Sequence, residues 1–270
     1  MDRDELELIS KQIRRDIIKM INKAGSGHPG GSLSATDVMT ALYFEVANLS
    51  PSDPLNPNRD RIFYSKAHVT PLIYSLLARR GFFDPEKLFE FRRLKSNLQG
   101  HPFIHSLPGI ESSGGSLGQG ISVAVGSSIT AKRMKWKHRI FCLLGDGEQQ
   151  EGEVWEAYMS ASHYKLDNLT IIIDKNRLEI DGFVKDVMNI DPFSDKLIAF
   201  GFEVFEVDGH DFDSILSAFD NTKTANGKPK AIIAKTVKGK GVSFMEDEAG
   251  WHGKSPDDEL TRKALSELSY

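Results

Sequence analysis

Two apolar runs in the middle of the chain each end in oxygen-bearing side chains. Ile140–Leu144 runs into Gly145-Asp146-Gly147, and Leu169–Ile173 runs into Asp174-Lys175-Asn176. A carboxylate and a carboxamide are hard donors of the kind that suits Mg2+ or Ca2+; a backbone carbonyl past Asn176, phosphate oxygens and water would complete the shell. An ion held this way commonly carries a diphosphate, and the glycines flanking Asp146 let a phosphate approach the backbone. Taken singly, Asp146 reads as a helix cap and Asn176 as a turn residue. Their joint placement after two successive apolar runs is what points to a site.

Four histidines share another setting. His28, His68, His101 and His252 lie on glycine-rich loops or at a strand-to-helix junction. Imidazoles donate to phosphate oxygens and sugar hydroxyls and move protons near neutral pH, as addition to a carbonyl requires. One such histidine is more often a surface or packing residue, but the shared placement of four favours a common role. His105, His163 and His210 lack that setting or sit in otherwise ordinary elements. Gly114-Gly-Ser-Leu-Gly-Gln-Gly120 looks like a phosphate cradle, yet it has no Lys-Ser/Thr of a nucleotide loop and only a broken dinucleotide fingerprint. Gly118 and Gly120 serve equally well to let a helix pack close to a sheet. Glu151 and Glu156 fit a solvated helix face, and an acidic first turn suits the helix dipole.

The elements that must position these groups follow from periodicity. Between the two apolar runs, Val154, Trp155, Tyr158, Ala161 and Ser162 recur at helical spacing, so a crossover helix over 151–164 makes the flanking strands parallel neighbours. Asp146 and Asn176 then open side by side beyond the carboxyl ends of the strands, where ligands of open α/β sheets gather at the switch point. Further helices are expected over 6–24, 34–47, 72–81, 121–133, 195–200 and 212–219, with strands at 62–64, 203–207 and 231–235. The segments 25–32, 95–120 and 177–194 read as loops, and the chain beyond Gly253 as a polar tail.

Bulk composition agrees with such a fold. At 270 residues and 40% hydrophobic content the chain can bury a substantial core. The β and α elements alternate without repeat or linker, so one α/β domain over 1–270 is expected, a doubly wound and mostly parallel sheet with helices on both faces. Lys and Arg number 34 against 38 Asp and Glu, a net charge of −4, with no long basic run, which gives nucleic-acid binding no support. The single cysteine, Cys142, excludes an internal disulfide and cysteine metal clusters. A charged start and the lack of a spanning apolar stretch lead to the expectation of a soluble cytoplasmic protein with no membrane partner.

Taken together, the motifs resemble the thiamine-diphosphate-binding half of transketolases. The Gly145-Asp146-Gly147 to Asn176 span resembles the family's cofactor motif in both ends and spacing. Ser26-Gly-His-Pro-Gly30, Lys66-Ala-His68, Gly100-His-Pro102, Gly115–Gly120, Gln150-Glu-Gly152, Lys238–Met245 and Trp251-His-Gly253 follow in the family's order. The resemblance implies thiamine diphosphate and Mg2+, with Ca2+ or Mn2+ as alternatives. It implies that Asp146, Asn176 and the Leu178 carbonyl hold the metal, that Gly147, His68 and His252 approach the diphosphate, and that Gly115 and Leu117 contact the aminopyrimidine. By the same resemblance His28, His101 and His252 face the sugar as catalytic residues, and Glu151 and Glu156 link paired active sites across a subunit interface.

Transketolases of full length continue into a pyrimidine-binding domain, which supplies a glutamate to the aminopyrimidine, and a C-terminal domain. This sequence stops at Tyr270. The expectation is therefore an N-terminal subunit that acts with a separately encoded C-terminal partner, as two heterodimers, on sugar phosphates. Rival expectations are a subunit like deoxyxylulose-phosphate synthase, an α subunit like that of 2-oxo acid dehydrogenases, or a non-catalytic scaffold.

Overall fold

The computed structural model describes residues 1–269. Its centre is a parallel sheet of five strands, β1 (Arg61–Tyr64), β2 (Ile140–Gly145), β3 (Leu169–Lys175), β4 (Glu203–Asp208) and β5 (Lys230–Lys235), in the order β1-β2-β3-β5-β4. Every residue of β2 is buried, and β3 is buried up to Lys175. Near-continuous apolar runs of this kind are what a strand covered on both faces needs. In register, Gly145 pairs with Asp174, so the residues that follow each strand emerge together.

Helices cover both faces. On one side lie α1 (Arg3–Ala24), α2 (Pro29–Ser34), α3 (Thr36–Ala41), α4 (Thr70–Arg80), α9 (Phe212–Asn221) and α10 (Asp258–Glu267). On the other lie α5 (Gln119–Arg133), α6 (Gly152–His163) and α8 (Phe193–Ala199), packed through Ile121, Val154 and Leu197. Between β3 and β4 runs one further helical turn, α7 (Val184–Val187). Helix α1 starts in a capping box between Asp2 and Glu5 and ends at Gly25, which takes the left-handed conformation with φ 66°.

The connections explain where the sheet opens. Those carrying α5, α6 and α8 run over one face while strand order advances; β5 then returns inside β4 by way of α9 on the opposite face. The reversal therefore lies between β3 and β5. The sequence pattern places the switch point between β2 and β3, one strand away, because pattern alone does not reveal that β5 inserts between β3 and β4.

Four other local expectations change. The loop expected over 25–32 turns helical at Pro29, whose fixed φ suits the first helical position. The helix expected over 34–47 divides into α3 and a π-helical turn, Leu42–Val46. The loop 177–194 contains α7 and the start of α8. The polar tail holds α10, capped by Asp257, because only Thr261, Ala264 and Leu268 are needed to seat it against the core. Among the described residues no helix is long and apolar enough to cross a membrane.

Candidate functional site

A cavity of about 340 Å3 opens over the carboxyl ends of β2 and β3. It brings together His28, His68, His101, Gly115, Leu117, Asp146, Gly147, Glu151, Asn176, Leu178 and His252. Glu156 lies farther along α6, exposed, and does not line that cavity. A larger cleft of about 1080 Å3 shares Asp146 and spreads over β3, β5 and β4. Its Lys and Arg side chains are already paired, among them Lys175 with Asp191, Lys235 with Glu206 and Arg177 with Asp247, so it is the poorer host for a diphosphate.

Asp146 is 3% exposed, and burial, reinforced by the neighbouring Asp174 carboxylate, pushes its pKa up to about 6. One carboxylate oxygen accepts the Gly147 N–H at 2.9 Å and the other the Arg177 N–H. The Asn176 amide oxygen accepts the Leu178 N–H at 3.1 Å, while its NH2 donates to Asp174 and to Ser34, both at 3.2 Å. That donation fixes which end of the carboxamide is oxygen. The Leu178 carbonyl accepts from the Lys238 ammonium at 3.1 Å. Each of these oxygens keeps a further lone pair, so the three form a neutral-to-anionic hard donor set with room for phosphate oxygens and water. Among the described residues no group of three or more His, Cys, Asp and Glu side chains could hold a metal by itself.

Beneath this set, Asp174 is completely buried and accepts from Lys66, Ser34 and Thr236. Burial opposes its charge, but the Lys66 ammonium and the two hydroxyls outweigh that and hold its carboxyl below the ordinary range. Glu148 is a second hub, joining the Ser65 hydroxyl to the backbone N–H groups of Gly118 and Gly145. The glycine-rich run is thereby resolved. Gly118 is in the left-handed region with its N–H committed to Glu148, and a Cβ at Gly120 would stand 2.5 Å from the Ser65 Cα, so both serve close packing. Gly115 faces His101 across 3.9 Å and stays open to the cavity.

The four loop histidines form one cluster. Ring centroids lie 5.1 Å apart for His28 and His68, 5.1 Å for His68 and His252, 5.6 Å for His28 and His252, and 6.4 Å for His28 and His101. Burial, then the charge of Arg92, lowers the His28 pKa to about 4; burial, then Lys238, lowers that of His252 to about 3. His68 is held well below its ordinary value by burial and Lys66, and His101 is lowered by burial and Arg92. All four rings are thus neutral at pH 7, able to donate and accept. The Lys238 ammonium stands 2.9 Å from His252 Nδ1, which must accept, leaving the proton on Nε2. His28 Nδ1 and His68 Nε2 are shielded from solvent and have no hydrogen-bond partner. Shielded polar atoms without partners beside a hard-oxygen set are what a site built for a polar ligand presents.

Three basic residues at the site have no role that the sequence pattern assigns. Lys238 is 1% exposed and its pKa is lowered to about 8 by burial and by Lys66. Lys66 is buried against Asp174, and Arg92 bonds Ser26 and faces His28 and His101. Lys66 and Lys238 stand inside motifs of the family; Arg92 lies in a charged stretch, Arg92-Arg93, that gives no signal. His210, ordinary in its sequence setting, lines the larger cleft and contacts Asp37.

Residues 6–269 match the family model described as "Transketolase, thiamine diphosphate binding domain". One of two subunits of an apulose-4-phosphate transketolase, from Actinobacillus succinogenes, is 44% identical over 266 residues, covering 98% of this chain and 96% of that protein. The 6-deoxy-6-sulfo-D-fructose transketolase subunit SqwG of Clostridium sp. strain MSTE9 is 39% identical, with 98% and 96% covered. Among solved structures, the transketolase of Campylobacter jejuni superposes with a TM-score of 0.93 at 36% identity, over 99% of this chain but 43% of that one. The chain thus spans nearly the whole length of the two single-subunit relatives and less than half of the solved transketolase.

Proposed function

Because the chain belongs to the family of the transketolase thiamine-diphosphate-binding domain, we propose that it is the diphosphate-holding subunit of a two-chain transketolase. In this reading it transfers a two-carbon ketol unit from a ketose to an aldose in company with a separately encoded subunit. The single observation that carries the reading is the juxtaposition of Asp146, Asn176 and the Leu178 carbonyl with four neutral histidines in one cavity. Near-complete coverage of relatives that are themselves named as transketolase subunits supports the need for a partner.

Thiamine diphosphate, when bound, supplies a nucleophilic carbon and an electron sink for the transferred unit. The rest falls to the protein. Asp146, Asn176 and the Leu178 carbonyl would hold a divalent ion, Mg2+ by the hardness of the donors, and through it the diphosphate. His68, His252 and Gly147 stand where they can meet phosphate oxygens, with the Lys238 ammonium adding charge neutralisation. Gly115 and Leu117 offer a small and an apolar contact to the aminopyrimidine. His28 and His252, neutral and 5.6 Å apart between ring centres, can hold and return protons at the sugar's carbonyl and adjacent hydroxyl. His101, more exposed, can meet the donor's terminal hydroxyl. Glu151 and Glu156 face outward at and beside the cavity rim, where a second copy could couple paired sites.

The donors are phosphorylated or otherwise anionic ketoses; the relatives' own names include a phosphate and a sulfonate sugar. The test is two-carbon transfer from xylulose 5-phosphate, and from branched or sulfonated ketoses, to aldose phosphates, measured with both subunits and with each alone. Transfer that needs both chains, thiamine diphosphate and Mg2+ supports the reading. Full turnover by this chain alone would overturn the two-chain assignment.

A further inference from the structure

The segment that carries Lys238 into the site is held from behind by groups that none of the site's ligands touches. Arg14 on α1 and Asp37 on α3 form a buried pair with both guanidinium–carboxylate contacts at 2.7 Å. Asp37 Oδ2 also lies 2.8 Å from His210 Nδ1. On the other edge of the same ring, Nε2 receives the Val237 backbone N–H at 2.9 Å. Nε2 must therefore be the bare nitrogen, and Nδ1 carries the proton given to Asp37. Arg14 completes the frame by donating from Nε to the Lys240 carbonyl at 3.0 Å. Residues 237 and 240 are thus pinned at both ends by one relay that starts two layers away.

The residue between those pins is crowded and has little slack. A Cβ on Gly30 would come within 3.0 Å of the Lys238 side chain, and one on Gly239 within 2.2 Å of the Met245 carbonyl. The Lys238 ammonium reaches the Leu178 and Glu179 carbonyls at 3.1 and 3.2 Å and His252 Nδ1 at 2.9 Å. Its position therefore sets both a candidate metal-ligand carbonyl and the tautomer of a candidate proton carrier. A few tenths of an ångström at Val237 would be felt at three groups.

We propose that His210 is a positioning residue: tethered by the Arg14–Asp37 pair, it fixes the Val237 N–H and so places Lys238 against Leu178 and His252 for cofactor binding. This rests on the reading of the cavity as the diphosphate site. His210 touches neither metal donors nor the histidine cluster in the cavity, so its influence must pass through the backbone. Partners of this outer kind are commonly worth tenfold or more in affinity.

Two substitutions separate the two edges of the ring. His210→Asn keeps a donor near the Nδ1 position, for Asp37, and loses the acceptor for Val237. His210→Gln keeps an acceptor near the Nε2 position and loses the bond to Asp37. Thiamine diphosphate binding with Mg2+ is measured by titration calorimetry on the two-subunit complex, beside thermal melting of each variant. The expected result is about tenfold weaker binding for His210→Asn and binding within about twofold of the parent for His210→Gln, whatever the order of their melting temperatures. Equal affinities in the two variants, or losses that follow the melting temperatures, would overturn the inference while leaving the site reading intact. No binding by the unsubstituted complex would instead strike the site reading, and the inference with it. In the unsubstituted protein, 15N shifts of His210 are expected to show a protonated Nδ1 and a bare Nε2; the opposite tautomer would also overturn it.

Discussion

The floor and the rim of the cavity are both buried and polar, yet they are built on opposite terms. On the floor every group of the Asp174 cluster is matched: Lys66, Ser34, Thr236 and Asn176 all converge on one carboxylate. On the rim His28 and His68 hide ring nitrogens that nothing bonds, and Asp146 carries a carboxyl whose pKa is raised by burial. A matched cluster rigidifies; an unmatched one costs stability and is tolerated where a ligand completes it. The same residue type, aspartate, serves on both sides of this divide.

The largest expected effect is on the floor. Asp174→Ala would leave the Lys66 ammonium buried without a partner, a loss of about 3–5 kcal/mol in urea denaturation. If stability hardly changes, the floor is not the scaffold described. Asp146→Ala is expected to do the reverse: metal-dependent cofactor binding and transfer fall more than about a hundredfold, since even outer partners of metal ligands are worth 10–100-fold, while thermal stability at pH 7 holds or rises. Retained activity there would remove Asp146 from the donor set. His28→Asn should lower kcat about a hundredfold with less than about 1 kcal/mol lost in denaturation, because its Nδ1 has no bond to lose.

Acid should probe the rim in a predictable direction. His28 and His252 have folded pKa values of about 4 and about 3 against an ordinary 6.5, so between those limits the unfolded chain binds more protons and stability falls as pH falls. Asp146 works in the opposite sense between 3.8 and about 6, where the folded chain binds the extra proton. With two histidines against one aspartate, the His28→Asn/His252→Asn double variant should lose less stability than the parent between pH 6.5 and pH 4. A steeper loss in the variant would contradict the burial assigned to these rings. The smallest effect belongs to Glu156→Gln, expected to leave monomer stability within about 0.5 kcal/mol and to alter only the coupling of paired sites in the assembled enzyme.

Much of the site is legible in the sequence because its chemistry is local. Gly-Asp-Gly and Asp-Lys-Asn each sit at the end of an apolar run, and the Trp155-centred helical spacing between them makes the two strands parallel neighbours on pattern alone. His28, His68, His101 and His252 group by their loops. Arg92, Glu148 and His210 do not, since each owes its place to a partner 66, 83 or 173 residues away and nothing nearby in the chain marks it.

The sequence by itself determined the alternation of strands and helices, the donor residues at the ends of β2 and β3, and the family resemblance, all of which depend on residue type over short spans. Only the tertiary structure decided that β5 inserts between β3 and β4, that Asp174 belongs to the floor while Asp146 belongs to the rim, and that His210 stands behind Lys238. Those outcomes depend on which distant segments meet and on which buried charges find partners, and burial and pairing are properties of the packed chain rather than of any stretch of it.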